Sequence, residues 1–175
     1  MKKSKLAFLA GVTVASALFL ASCGSSSKSS QTETYSYVFS TDPDSLNYLL
    51  SNRSTTSDIT TNLVDGLFEN DQYGNLVPAL AEDWSVSKDG LTYTYKIRKD
   101  AKWYDSEGNE YADVTAQDFV TSLKYVADNK SDALYLVQNS VTGLNDYVNG
   151  KNTDFSKVGI KAVDDRSEEH TSELQ

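Results

Sequence analysis

The sequence has 175 residues, with 16 Lys and Arg against 25 Asp and Glu, one Cys, one His and two Pro, for a formal net charge of −9. A charge of that sign repels phosphate backbones, and no cluster of Lys or Arg offsets it locally, so a general nucleic-acid binder is excluded. One cysteine cannot close an internal disulfide, and one His with one Cys cannot build a zinc finger or a Cys/His metal cage.

The chain opens with the pattern of a secretory signal over residues 1–22. Lys2, Lys3 and Lys5 form a positive segment, and Leu6 to Leu20 is an apolar stretch interrupted by Gly11, Thr13 and Ser16. It is too short for a membrane span of about 20 residues. The tetrapeptide Leu20-Ala21-Ser22-Cys23 resembles the lipobox of bacterial lipoproteins, in which the Cys is acylated and becomes the new N-terminus. Cys23 is therefore the expected lipidation site, carrying a fatty acyl anchor such as palmitate; a cleaved signal with an incidental Cys is the alternative. Residues 24–34 (GSSSKSSQTET) have no apolar side chain to bury and read as a solvated tether that lets a folded part clear the lipid headgroups.

Tyr35 to Ser40 (YSYVFS) predicts a short strand, ended by the turn residues Asp42-Pro43-Asp44-Ser45. Thr55-Thr56-Ser57-Asp58 predicts a helix start, followed by Ile59, Leu63 and Leu67 at helical spacing, with Gly66 near its end. Leu91 to Arg98 alternates cleanly: Leu91, Tyr93, Tyr95 and Ile97 on one side, Thr92, Thr94, Lys96 and Arg98 on the other. With Ser87-Lys88-Asp89-Gly90 as the turn, Trp84 to Val86 is expected to pair with it as a hairpin. Asp105 to Glu110 predicts another polar turn. Thr115-Ala116-Gln117-Asp118 caps a helix with Phe119, Leu123, Val126 and Ala127 on one stripe. A further helix is expected to carry Leu134, Val137, Val141, Leu144 and Val148 and to stop at Asn149-Gly150. Val158 to Ala162 begins a strand. No internal repeat is apparent, and the pattern is mixed α/β or α+β.

The last ten residues, 166–175 (RSEEHTSELQ), lack apolar periodicity and carry the single His. They resemble the translation of a sequencing adapter read in frame and are expected to be foreign to the protein; a native acidic tail, leaving His170 in a disordered end, is the alternative. Without the leader and this tail, 143 residues hold 12 basic and 22 acidic side chains, net −10, and no His. That leaves Ser and Thr without an imidazole base, and neither a Gly-x-Ser-x-Gly elbow nor a phosphate-cradling Gly loop occurs. Asp105, Glu107, Glu110 and Asp113 cluster, but Gly108 falls in the wrong place for a calcium loop and no bidentate Glu follows, so a solvated turn is expected. Glu82, Asp83 or Glu110 as a glycosidase pair has no support beyond residue type.

Four segments match a known family in order and spacing: Asn62 to Leu67 (NLVDGL), Pro78 to Trp84 (PALAEDW), Asp89 to Trp103 (DGLTYTYKIRKDAKW) and Val114 to Phe119 (VTAQDF). Over about Tyr35 to Asp165 the chain resembles the N-terminal part of the family 5 extracellular solute-binding proteins, the oligopeptide-binding lipoproteins of ABC importers. The resemblance implies a mixed α/β chain forming the N-terminal part of a two-lobed, periplasmic-binding-protein-like fold of type II, cluster C, truncated here. Residues 35–67 would be the first piece of the main lobe and 68–165 an incomplete small extra domain. It implies no enzyme activity, no cofactor and no metal.

By the same resemblance, the ligand is an extended oligopeptide held by main-chain hydrogen bonds, and the other partners are the ABC permease and, through the lipid, the membrane. The loop before the first helix, Asn52, Arg53 and Ser54, would supply backbone contacts, and Tyr135 would line the pocket. A surface loop and a packed Tyr are the plain alternatives. A monomer on the extracellular face of the cytoplasmic membrane is expected, and the long Trp103 to Thr115 segment resembles that of Gram-positive peptide receptors. Other readings are an adhesin or hydrolase on a surface lipoprotein, or a same-fold receptor for a dipeptide, nickel chelate or sugar.

Overall fold

The computed structural model describes residues 36–39 and 41–172. The chain divides after Val38, and of the first unit only Ser36, Tyr37 and Val38 are described; they form no regular element. The strand expected over 35–40 is not formed at its described positions, 36–39.

The second unit is mixed α/β. Helix α1 spans Ser54–Thr60 and is followed by β1 (Phe68–Asn70), β2 (Leu76–Pro78), β3 (Ala81–Val86), β4 (Thr92–Ile97), β5 (Lys102–Tyr104), β6 (Glu110–Asp113), α2 (Ala116–Asp128), a 3₁₀ turn at Leu134–Leu136, α3 (Leu144–Val148), a second 3₁₀ turn at Phe155–Lys157, β7 (Ile160–Asp164) and β8 (Ser167–Thr171). Strands β3, β4, β8 and β7, in that order, form an antiparallel sheet, while β1–β2 and β5–β6 are separate hairpins.

The β3–β4 hairpin forms as expected, with Trp84 opposite Tyr95 and Val86 opposite Tyr93. Its alternation is only partly converted to burial: Ile97 has no exposed surface, whereas Tyr93 is 37% exposed. The hairpin loops Asp71–Asn75 and Asp105–Asn109 share one design, Asp-x-x-Gly-Asn. In each, the Asp Oδ1 accepts from the amides two and four residues on, and the Asn side chain returns to the same carboxylate.

Helix α1 is shorter than its apolar spacing predicts. Its buried residues are Thr56 and Thr60, and Leu63 lies beyond the helix, 69% exposed. Thr56 Oγ1 donates to the Ser45 carbonyl at 2.8 Å and Thr60 Oγ1 to the Thr56 carbonyl at 3.0 Å, so the buried hydroxyls are satisfied locally. Helix α2 starts as predicted, with a Thr115/Asp118 capping box in which the Thr115 amide donates to Asp118 Oδ2 at 2.8 Å.

The single helix expected over 134–148 is instead a 3₁₀ turn, a run of turns and the short α3. Gly143 causes the break: its φ is +72°, and a Cβ there would stand 2.7 Å from the Lys157 carbonyl oxygen. The apolar residues still converge. Leu134, Val141 and Leu144 join Ala127, Val158 and Ile160 in one core cluster, with Phe119, Leu123 and Val126 of α2 packed on it. A second cluster holds Ile97, Ala101 and Val114, and Phe119 packs against this one too, which couples α2 to both.

Residues 167–171, read from sequence as part of a foreign tail with a disordered acidic end as the alternative, form the inner strand β8, hydrogen-bonded to both β4 and β7. Arg166 anchors the entry to it. Its guanidinium donates to the carbonyls of Arg98 at 3.1 Å and Val114 at 3.0 Å, and its own carbonyl accepts from the Ile97 amide at 2.7 Å.

Candidate functional site

The loop Asn52–Ser54 enters α1 with Arg53 as the N-cap residue, whose carbonyl accepts the Ser57 amide at 3.0 Å. The Arg53 amide donates to Ser51 Oγ at 3.3 Å, and its side chain pairs with Asp44 at 2.9 Å. Both main-chain groups of Arg53 are therefore spent internally. Among the described residues the amides of Asn52 and Ser54 have no hydrogen-bond acceptor, which leaves them as donors for an incoming carbonyl.

The structure brings this loop beside the segment that leads to Tyr135. The Asp132 amide donates to the Leu50 carbonyl at 3.1 Å, and Asn52 Nδ2 reaches the Asp132 carbonyl at 3.4 Å. Tyr135 then sits in the 3₁₀ turn, 66% exposed. It is not packed in the core of the described residues. Cys23 and the lipobox residues Leu20, Ala21 and Ser22 lie outside the described residues.

Immediately before the loop, Tyr48 and Leu49 line two adjoining apolar cavities. The larger, about 310 Å³, runs against Phe119, Leu123, Leu136 and Val137, and the smaller, about 160 Å³, against Leu80 and Trp103. Burial pushes the Tyr48 phenol above its ordinary pKa, so it is a neutral hydroxyl at physiological pH. Sequence patterning does not single out Tyr48 and Leu49. An apolar Tyr-Leu-Leu run inside an irregular, turn-rich stretch is the available signal, because a loop that buries nothing has no use for it.

Three of the acidic residues considered for other chemistry, Asp105, Asp113 and Glu82, are engaged in structure. Asp105 serves its own loop amides, Asp113 pairs with Lys102 and Arg166, and Glu82 pairs with Lys96 at 2.5 Å. The Asp105 and Asp113 carboxyls sit below the ordinary range, the first chiefly through the Asn109 side chain and the second chiefly through Lys102. Among the described residues no group of three or more His, Cys, Asp or Glu is placed to hold a metal ion.

Comparison with known proteins agrees with this architecture. The chain is 64% identical over 173 residues to the oligopeptide-binding protein AliB of Streptococcus pneumoniae, covering 98% of this chain and 26% of AliB. It is likewise 64% identical over 172 residues to the oligopeptide-binding protein AliA of the same species. The chain thus spans about a quarter of the length of these relatives. Among solved structures, the periplasmic oligopeptide-binding protein OppAIV of Borrelia burgdorferi superposes with a TM-score of 0.67 at 27% identity, over 76% of this chain and 26% of that one. The fold is accordingly part of a solute-binding fold. The sequence model of the bacterial extracellular solute-binding proteins, family 5 Middle, matches residues 75–167, more than half of the chain, and the chain belongs to that family.

Proposed function

We propose that this chain is the N-terminal part of a lipid-anchored extracellular receptor that captures oligopeptides and delivers them to the permease of an ABC importer. The observation that carries the reading is the 64% identity, over nearly the whole chain, to a protein named for oligopeptide binding. The geometry supports it: unspent amides at Asn52 and Ser54 suit main-chain recognition, which accepts many peptide sequences because it ignores side chains. Tyr135, exposed beside that loop, offers an aromatic wall. In this reading residues 1–22 are the signal, Cys23 carries the lipid, 24–34 are the tether, 35–67 begin the main lobe, 68–165 belong to the extra domain and 166–175 are foreign. The receptor is a monomer without catalytic activity, held at the outer face of the cytoplasmic membrane.

A ligand must be enclosed by both lobes to be held, so the 23–165 segment alone is not competent. Calorimetry on that segment and on the complete receptor, with a panel of peptides of different lengths, a nickel chelate and a sugar, tests the reading. Tight peptide binding by the complete receptor alone is expected. Equal affinity in the segment removes the two-lobe account, and preference for the chelate or sugar removes the oligopeptide assignment. Metabolic labelling with a fatty acid is expected to be lost in Cys23→Ala, and retained label removes the lipid anchor.

A further inference from the structure

Strand β8 lies between β4 and β7, and its residue Glu168 has no exposed surface. In register it stands opposite Tyr95 on β4 and Ala162 on β7. Side chains two residues apart share one face of a strand, so Glu168 projects on the face of His170 and of the core residue Ile160, which is His170's partner on β7. That is the face helix α2 covers, since Phe119, Leu123 and Val126 pack on the cluster containing Ile160.

A carboxylate is out of place there. Oε1 of Glu168 lies 3.1 Å from His170 Nε2, while Oε2 is buried with no partner among the described residues. The other buried polar side chains, Thr56, Thr60 and Ser131, each make a hydrogen bond. An acid in an apolar face with an oxygen left unpaired opposes folding, because it loses water and gains nothing equivalent. Apart from the Arg166 guanidinium at its entry and the Lys161–Glu169 ion pair, what holds the strand is main chain: besides the two ladders, the Thr171 amide reaches the Gly159 carbonyl and the Ser172 amide the Leu91 carbonyl, both at 2.7 Å. Any extended segment can make those bonds.

We infer that the gap between β4 and β7 is a strand slot whose place at 168 is shaped for an aliphatic side chain, and that residues 167–171 occupy it through backbone complementarity. The natural occupant is an extended segment with an apolar residue at that place. This does not depend on the proposed ligand, and it accords with residues 166–175 being foreign to the protein.

The test is thermal unfolding of the full chain, followed by far-UV circular dichroism at neutral pH, with Glu168→Val, Glu168→Met and Glu168→Gln. Val suits a strand and Met matches the length of Glu, so neither a void nor lost length can hide a gain in both. At least one of the two is expected to raise Tm by about 4 °C or more, and Gln, which keeps polar atoms in the same place, by less than half as much. His170 is not stranded by the change, since its side chain is 27% exposed and reaches water. Unchanged or lower Tm in both apolar variants overturns the inference, and so does a Gln variant that equals or exceeds them.

Discussion

Three glycines separate two kinds of backbone constraint. Gly108 has φ +82° with nothing within 4 Å of where a Cβ would stand, Gly159 has no positive φ but would place its Cβ 2.7 Å from the Thr171 carbonyl oxygen, and Gly143 carries both burdens. Replacing Gly108 by Ala incurs the left-handed cost of about 1–2 kcal/mol, partly offset by about 0.4–1 kcal/mol from a stiffer unfolded chain, for a net loss near 1 kcal/mol. Gly159→Ala incurs overpacking instead, about 1–3 kcal/mol before the same offset, because the obstacle is backbone and not a flexible side chain. Gly143→Ala sums the two, about 2–5 kcal/mol before the same offset, since its obstacle is the Lys157 carbonyl on the segment leading to β7. Urea unfolding followed by fluorescence of Trp84 and Trp103 measures all three, with the m-value checked for constancy. If Gly143→Ala costs no more than Gly108→Ala, the close approach of α3 to Lys157 is not what breaks the 134–148 helix.

Asp118 Oδ2 accepts from both the Thr115 amide and Trp103 Nε1, the latter at 3.1 Å, so Asp118→Ala is expected to cost more than the ~1 kcal/mol of an ordinary cap loss and to alter Trp103 fluorescence, which Thr115→Ala leaves nearly unchanged. Ile97→Ala, at a fully buried site, is expected to destabilise by about 2–5 kcal/mol in the same urea assay; a loss below about 1 kcal/mol means that β4 is not anchored by its core face. Amide exchange at Tyr73 and Asn75 is expected to quicken in Asp71→Ala, and at Glu107 and Asn109 in Asp105→Ala, each without affecting the other loop. Arg98 beside Asp100 lowers that carboxyl to about 2, and Asp71, Asp105, Asp113 and Asp128 are also lowered by their partners. Carboxyls with depressed folded pKa values stabilise fully above their unfolded value of about 4 and lose that contribution as pH falls towards 2. Tm should therefore drop over that interval, and a Tm that stays flat down to about pH 2 contradicts the pairing.

Where structure depends on neighbours in sequence, the residues alone were enough. The β3–β4 hairpin, the Asp105–Asn109 turn and the capped start of α2 all follow from turn chemistry and caps that act within a few residues. The motif order from Asn62 to Phe119 also carried the family, because spacing of that kind survives in sequence. The loop Asn52–Ser54 and Tyr135 were legible as candidates, but their juxtaposition was not, since it rests on the Leu50–Asp132 bond across some eighty residues. Burial was the tertiary decision. Apolar spacing favoured Ile59 and Leu63 on α1, yet Thr56 and Thr60 are the residues inside, because their hydroxyls find carbonyls there. The helix over 134–148 yields at Gly143 to the passing Lys157 carbonyl, a contact invisible to periodicity. The last residues make the point most sharply. A polar, patternless segment became an inner strand, because β4 and β7 offered it backbone partners on both sides, and a ladder of main-chain bonds takes no account of side chains until one of them, Glu168, is buried without a partner for its second oxygen among the described residues.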